Sequence, residues 1–242
     1  LPMDYFRYQN GDLMAEDVPI RAIAEKHGTP TYVYSSRTLV EHFRKLRDAF
    51  GAAGGLAQPP VLCYSIKANS NLSLLNLLRA EGSGFDIVSG GELYRAIKVG
   101  ADPKKIVFAG VGKADEEIQY ALEQGILLFN VESEEELANI DRIAGRLGKR
   151  APVALRVNPD VDPQTHTYIS TGKKETKFGV DLYRAKKIIQ WAVRDLKHID
   201  FCGLHVHIGS QITKVDPFVE VMQRMAAFLP ECASIGAKIR FL

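Results

Sequence analysis

From Val61 onward the chain alternates short apolar runs with amphipathic segments, and no other feature constrains its fold as tightly. Apolar runs at Val61–Ile66, Phe85–Val88, Ile106–Phe108, Ile126–Val131, Val153–Val157, Phe201–Ile208 and Ile239–Leu242 read as strands. Helical spacing marks Leu72–Arg79, Gly91–Val99, Glu116–Glu123, Glu134–Leu147, Tyr183–Val193 and Phe218–Cys232 between them. Near-continuous apolar strands divided by amphipathic helices imply a parallel sheet covered on its outer face. Asp115, the Ser133/Glu136 pair and Asp216-Pro217 read as helix starts, and glycines 82, 100, 125 and 148 as helix stops. The Met- and Phe-bearing Phe218–Cys232 helix reads as core packing, and the acidic run Glu132–Glu136 as a solvated helix N-terminus.

The repeats suit a (β/α)8 barrel of ~250 residues better than an open doubly wound sheet. No GxGxxG occupies the first β/α turn, which counts against a dinucleotide-binding sheet. About seven strands are present, so the expectation is an α/β barrel incomplete at its carboxyl end. Residues 51–242 are assigned to it, and residues 1–50 to an amino-terminal segment with helices flanking the barrel. In that segment Asn10-Gly11 marks a turn, Val18–His27 a helix, Thr31–Tyr34 a short β-rich run and Arg37–Phe50 an amphipathic helix. Leu39, Phe43, Leu46 and Phe50 share one face of that last helix, and Gly51–Pro60 reads as a loop.

Bulk properties exclude some partners. The formal charge is +2 with no long run of either sign, which argues against nucleic acid or an anionic membrane as an obligatory partner. No apolar stretch approaches the roughly 18 residues of a membrane span. Cys63, Cys202 and Cys232 form no CxxC pair, so a reducing compartment, the cytoplasm or a plastid, is the expectation.

Reactive groups of a (β/α)8 barrel sit at the carboxyl ends of its strands. Lys67 ends the first run, Asp86 lies in the second, Arg156 and Asn158 end the fifth, and His205, His207 and Ser210 end the sixth. Alternation puts Lys67 with Ser65, Arg156 with Asn158 and His207 with His205 on common faces. An inward, desolvated lysine can lose its proton and attack a carbonyl; the alternative is a stem lining the strand end with its ammonium in water. His205 and His207 can ligate a metal, line a core, or lie flat against a ring; no third ligand is evident, and no metal is the expectation. Gly209-Ser210 can offer backbone N–H groups and a hydroxyl to a phosphate.

These residues stand in stretches that resemble the diaminopimelate decarboxylase family, within the alanine racemase/ornithine decarboxylase group of fold-type III barrels. The stretches are Tyr64-Ser65-Ile66-Lys67-Ala68-Asn69, Phe85 to Leu93, His166 to Gly172, Lys177-Phe178-Gly179 and His205 to Gln211. Phe6-Arg7-Tyr8 and Gly28 to Tyr34 are similar too, so the likeness spans nearly the whole chain. The resemblance implies pyridoxal 5′-phosphate (PLP) as cofactor, anchored by Lys67, with His207 on the pyridine face, Ser210 at the phosphate, and Asp86 and Arg156 in the polar shell. It implies a small amino-acid substrate, with meso-2,6-diaminopimelate decarboxylated to L-lysine and carbon dioxide, and a homodimer. A related arginine- or ornithine-type decarboxylase and a non-catalytic PLP-binding barrel are the alternatives. In the family a Gly-rich phosphate motif, a glutamate facing the pyridine nitrogen and a β domain with the proton-donating cysteine follow the matched region. The expectation is therefore a chain without that domain, and none of its cysteines is assigned as the acid.

Overall fold

The computed structural model describes residues 4–54, 58–161 and 178–242. His166 to Gly172 and Lys177 therefore lie outside the described residues. The chain divides into a first compact unit, residues 1–85 with 94–105, and a second, residues 86–93 with 106–242.

The first unit opens with an antiparallel meander that the sequence reading missed: β1 (Phe6–Gln9), β2 (Asp12–Ala15) and β3 (Val18–Pro19). Gln9 pairs with Asp12 across the expected Asn10-Gly11 turn, where φ is +52° and +87°. Such a two-residue turn demands positive φ at both positions, which Asn and Gly tolerate. β3 takes the first residues of the anticipated helix, leaving α1 as Ile20–His27. Thr31–Tyr34 forms no strand; among the described residues it finds no strand to pair with, and Tyr32 is 89% exposed. The helix that follows, α2 (Ser36–Ala53), runs into the anticipated loop before Gly54 ends it. Ser35 caps it by accepting from Thr38 N–H at 3.0 Å, and the Glu16 carboxylate accepts from Ser35, Ser36 and the Arg37 amide. Those donors, the Arg37 amide first, hold Glu16 below the ordinary carboxylate range.

After β4 (Cys63–Ser65) a single 3₁₀ turn spans Ile66–Ala68, and α3 (Leu72–Ala80) is capped by Asn71. β5 (Gly84–Ile87) and α4 (Gly90–Lys98) are shared by the two units, and a 3₁₀ turn at Pro103–Lys105 ends the first. Gly84 donates to Leu62 O at 2.8 Å, and a Cβ there would collide with Lys105 O, so only glycine fits.

The second unit holds β6 (Ile106–Phe108), α5 (Asp115–Gln124), β7 (Leu128–Val131), α6 (Glu134–Arg146), β8 (Ala151–Asn158), β9 (Val180–Asp181), α7 (Leu182–Asp195), β10 (Ile199–His205) and α8 (Asp216–Ser234). Its sheet is parallel: Ala109 donates to Ile87 O, and β6 pairs with β7, β7 with β8 and β8 with β10. β9 adds to β8. Ile239–Leu242 contributes one parallel bridge, Gly203 to Phe241, rather than a strand; the sheet path ends there among the described residues. The expected parallel α/β fold is present, and closure into eight strands is not seen among the described residues. Leu137, Ile140, Ile143 and Ala144 of α6, and Ala185, Ile188, Ile189 and Ala192 of α7, are buried, as helices covering one sheet face require. α8 is only half core: Val221, Met225, Phe228 and Cys232 are buried, whereas Phe218 and Met222 are 50% and 53% exposed.

Candidate active site

Lys67 belongs to the first unit and stands one residue beyond the end of the strand reading. β4 stops at Ser65, so the alternation argument does not reach Lys67; it lies in the 3₁₀ turn. Ile66 is completely buried and Lys67 is exposed, so of the two readings of this lysine the side chain here reaches water. Tyr64 closes the turn by donating its hydroxyl hydrogen to Asn69 O at 3.3 Å. A 3₁₀ turn advances by a third of a circle per residue, so one inward side chain leaves its successor facing out.

The second unit places Asp86 half-buried in β5. His207 and Ser210 are exposed and follow β10, which ends two residues before His207. Between them the backbone takes φ +144° at Gly209, and Gln211 follows at +59°.

At the carboxyl ends of β7, β8 and β10 the sheet register sets three polar residues in a row. Val131 pairs with Leu155 and Arg156 with His205, so Glu132, one residue past β7, continues the row that Arg156 and His205 form on adjacent parallel strands. Arg156 donates from Nη1 to Glu132 Oε1 at 3.0 Å, with both side chains largely buried at 13% and 5% exposure. The Phe178 ring lies 5.6 Å from the guanidinium carbon. Gly179, at φ +90°, abuts the same residue: a Cβ there would stand 2.9 Å from Arg156 O. The Phe178-Gly179 pair thus acts as a cover for Arg156. Burial pushes His205 down to about 4, helped by the positive charges of Arg156, His207 and Lys113.

Lys113, after β6, is a neighbour that sequence reading missed. Its side chain is 1% exposed, and Nζ donates to Gly110 O, Asn130 O and Glu136 Oε1 at 2.7, 2.8 and 2.5 Å. Glu136 is 12% exposed, and its burial raises its carboxyl despite the lysine beside it. The acidic run Glu132–Glu136 is therefore not a uniformly solvated helix end: its first and last members are buried partners of Arg156 and Lys113. For Glu136 the available signal was its spacing, three residues after Ser133; Glu132 carried none. Burial also raises Cys202 and Cys232 to about 11, and all three cysteines are free thiols. Among the described residues no group of His, Cys, Asp and Glu is arranged to hold a metal ion.

Comparison with known proteins decides the family. The description "Pyridoxal-dependent decarboxylase, pyridoxal binding domain" matches residues 36–242. The chain belongs to this decarboxylase family. It is 47% identical over 240 residues to diaminopimelate decarboxylase of Pseudomonas aeruginosa, covering 99% of this chain and 56% of that relative. The Aquifex aeolicus diaminopimelate decarboxylase is 45% identical over 238 residues, covering 98% and 55%. Among solved structures, diaminopimelate decarboxylase from M. jannaschii in co-complex with L-lysine matches with TM-score 0.90 and 38% identity, over 99% of this chain and 56% of that one. The chain spans about half the length of the curated relatives it matches. Family membership brings pyridoxal phosphate as the cofactor of this domain.

Proposed function

We propose that this chain is the cofactor-binding part of a PLP-dependent decarboxylase that converts meso-2,6-diaminopimelate to L-lysine and carbon dioxide. The observation that carries the reading is 47% identity along 99% of the chain to a protein named for that activity. Lys67 is the anchoring amine: its exposure on a turn held by buried Ile66 leaves Nζ accessible to an incoming aldehyde. The backbone at Gly209 and Gln211, together with the Ser210 hydroxyl, fits a dianionic phosphate, since positive φ can turn successive N–H groups toward one anion. His207, exposed after β10, would be the ring available to the pyridine, and half-buried Asp86 and Arg156 would be polar groups around it. The residues present fit the cofactor in number and type: one amine, one phosphate loop, one ring to stack.

PLP when bound supplies the electron sink for carbon dioxide loss. The chain's part is to hold and orient. In the first unit Lys67 would hold the aldehyde carbon of the cofactor; in the second the Gly209–Gln211 segment would hold a phosphate, and His207 would offer a ring to stack. Residues 51–242 form the cofactor-binding part and residues 1–50 precede it. A homodimer and a cytoplasmic location accompany the reading; three free thiols support a reducing compartment, and no helix among the described residues is long and apolar enough to cross a membrane.

Two measurements test it. Purified protein with PLP is expected to show the visible band of lysine-bound cofactor, abolished by borohydride and absent in Lys67→Ala. A band that survives Lys67→Ala removes the anchor assignment. From the whole decarboxylase of which this chain is proposed to be part, carbon dioxide release is expected from meso-diaminopimelate well above that from arginine or ornithine, and the reverse order overturns the substrate.

A further inference from the structure

Three buried polar atoms have no hydrogen-bond partner among the described residues, and they belong to the same row: Glu132 Oε2, Arg156 Nε and His205 Nδ1. Buried polar atoms rarely stay unpaired, so three from adjacent residues on neighbouring strands mark a constrained arrangement. Arg156 is fixed from three sides, by the Glu132 carboxylate, the Phe178 ring and the Cβ-free approach of Gly179. Its register partner is His205.

Three positive groups act on the His205 ring. Arg156 stands on β8, Lys113 after β6, and His207 on its own segment; all three oppose a cationic ring. The Glu132 carboxylate is bonded to Arg156. Glu136 is occupied by Lys113 and by the Glu132 amide. A protonated His205 would therefore bury an unpaired N–H next to a guanidinium.

We propose that Glu132 is a positioning residue that holds Arg156 beside His205, where the guanidinium adds to burial in keeping that ring uncharged. His205 then offers the carboxyl-end face of the sheet a hydrogen-bonding group whose charge does not change across neutral pH. The inference does not depend on the cofactor or substrate reading, because the ring can be observed without either.

The experiment follows ring resonances of the ¹⁵N-labelled full chain against pH, with and without PLP, using His205→Gln to assign His205. Wild type is expected to show no His205 titration between pH 8 and pH 5. Two roles for Glu132 predict opposite signs. If it positions Arg156, Glu132→Ala frees the guanidinium to leave the ring, and the titration moves up into the observed range, as in Arg156→Met. If it only neutralises Arg156, removing its charge leaves a bare guanidinium in place, and the titration moves further down. Glu132→Gln keeps an acceptor oxygen and is expected to retain the wild-type flat response. A downward or absent shift in Glu132→Ala overturns the positioning role, as does a wild-type ring titrating near its ordinary value. Should Glu132→Ala not fold, an upward shift in Glu132→Gln overturns the proposal and a flat response with an upward shift in Arg156→Met upholds it. Lys67→Ala losing the visible band while the His205 titration stays flat separates this proposal from the cofactor reading.

Discussion

At the scale of residues, the second unit concentrates charge where a sheet ordinarily holds apolar side chains. Lys113, Glu132, Glu136 and Arg156 are largely buried in two pairs, Lys113 with Glu136 and Arg156 with Glu132. Truncating one member of such a pair leaves its partner buried without compensation, which costs about 3–5 kcal/mol. His205 gives this arrangement a pH signature. Its folded value, about 4, lies below the ordinary imidazole value, so the unfolded chain takes up the proton first. Stability is therefore fully present above pH ~6.5 and is lost as pH falls toward about 4, by at most ~3 kcal/mol. Glu136 works in the opposite sense: burial raises it, so its protonation on acidification relieves a cost. Denaturant unfolding of wild type and His205→Phe between pH 7.5 and 4 is the check. The variant is expected to lose most of the acid-side slope, and an unchanged slope would assign the loss elsewhere. The sequence made Arg156 and His205 legible as strand-end residues because period two survives to the ends of β8 and β10. It did not make Glu132 legible, because an acid just past an apolar run looks the same whether it meets water or an arginine across the sheet.

At the scale of elements, one local device recurs at successive strand-to-helix turns of the second unit. Glu92 of α4 accepts from Val88 N–H while Ser89 accepts from Glu92 N–H, and Glu136 of α6 repeats this with Glu132 and Ser133. Between them Glu117 of α5 accepts from its own Ala114 N–H at 3.0 Å and from Gly90 N–H at 2.6 Å. Each carboxylate pins the loop leaving a strand and sits at a helix N-terminus, where the helix field favours negative charge. Asp115, anticipated as the cap of α5, instead lies in the first turn and accepts from Asn139 and Arg142 of α6; Ala114 has no side-chain acceptor to offer. Glu117→Ala removes the acceptor for two backbone amides at once and is expected to cost about 1–3 kcal/mol in denaturant unfolding. Glu117→Gln, which retains an acceptor oxygen, should lose less than half of that. Equal losses would show that charge, not the acceptor, carries the effect. A Ser-x-x-Glu spacing is readable in advance; that Glu117 spans two loops is not, since the second contact joins residues 27 apart.

For the molecule as a whole, burial is distributed unevenly along the chain. β7 is buried at every position and β8 at five of its eight, whereas β1 is exposed throughout and neither α1 nor α2 contains a buried residue. This unevenness explains which parts of the fold were legible. Continuous apolar runs, visible in any sequence, are clearest where strands are covered, so β6, β7 and β8 were found. The β1–β3 meander has little apolar pattern because little of it is buried, and turn chemistry at Asn10-Gly11 was its only sign. Leu46 and Phe50, which periodicity placed on an apolar helix face, remain 52% and 42% exposed, because amphipathic spacing tells which residues share a face and not what covers it. The same contrast predicts how the chain opens. Local opening costs little where few apolar contacts are lost, so amides of α1 and α2 should exchange through local fluctuations well below the global unfolding free energy. Amides of β7, β8 and β10 lose their pairing only when the parallel sheet itself comes apart, and their exchange should track global stability as denaturant is added. Native-state hydrogen exchange across a denaturant series separates the two classes by slope. If α2 amides showed the steep dependence of β8, the exposed apolar face of that helix would have to be covered in solution, and its exposure in the structure of the single chain would not describe the protein at work.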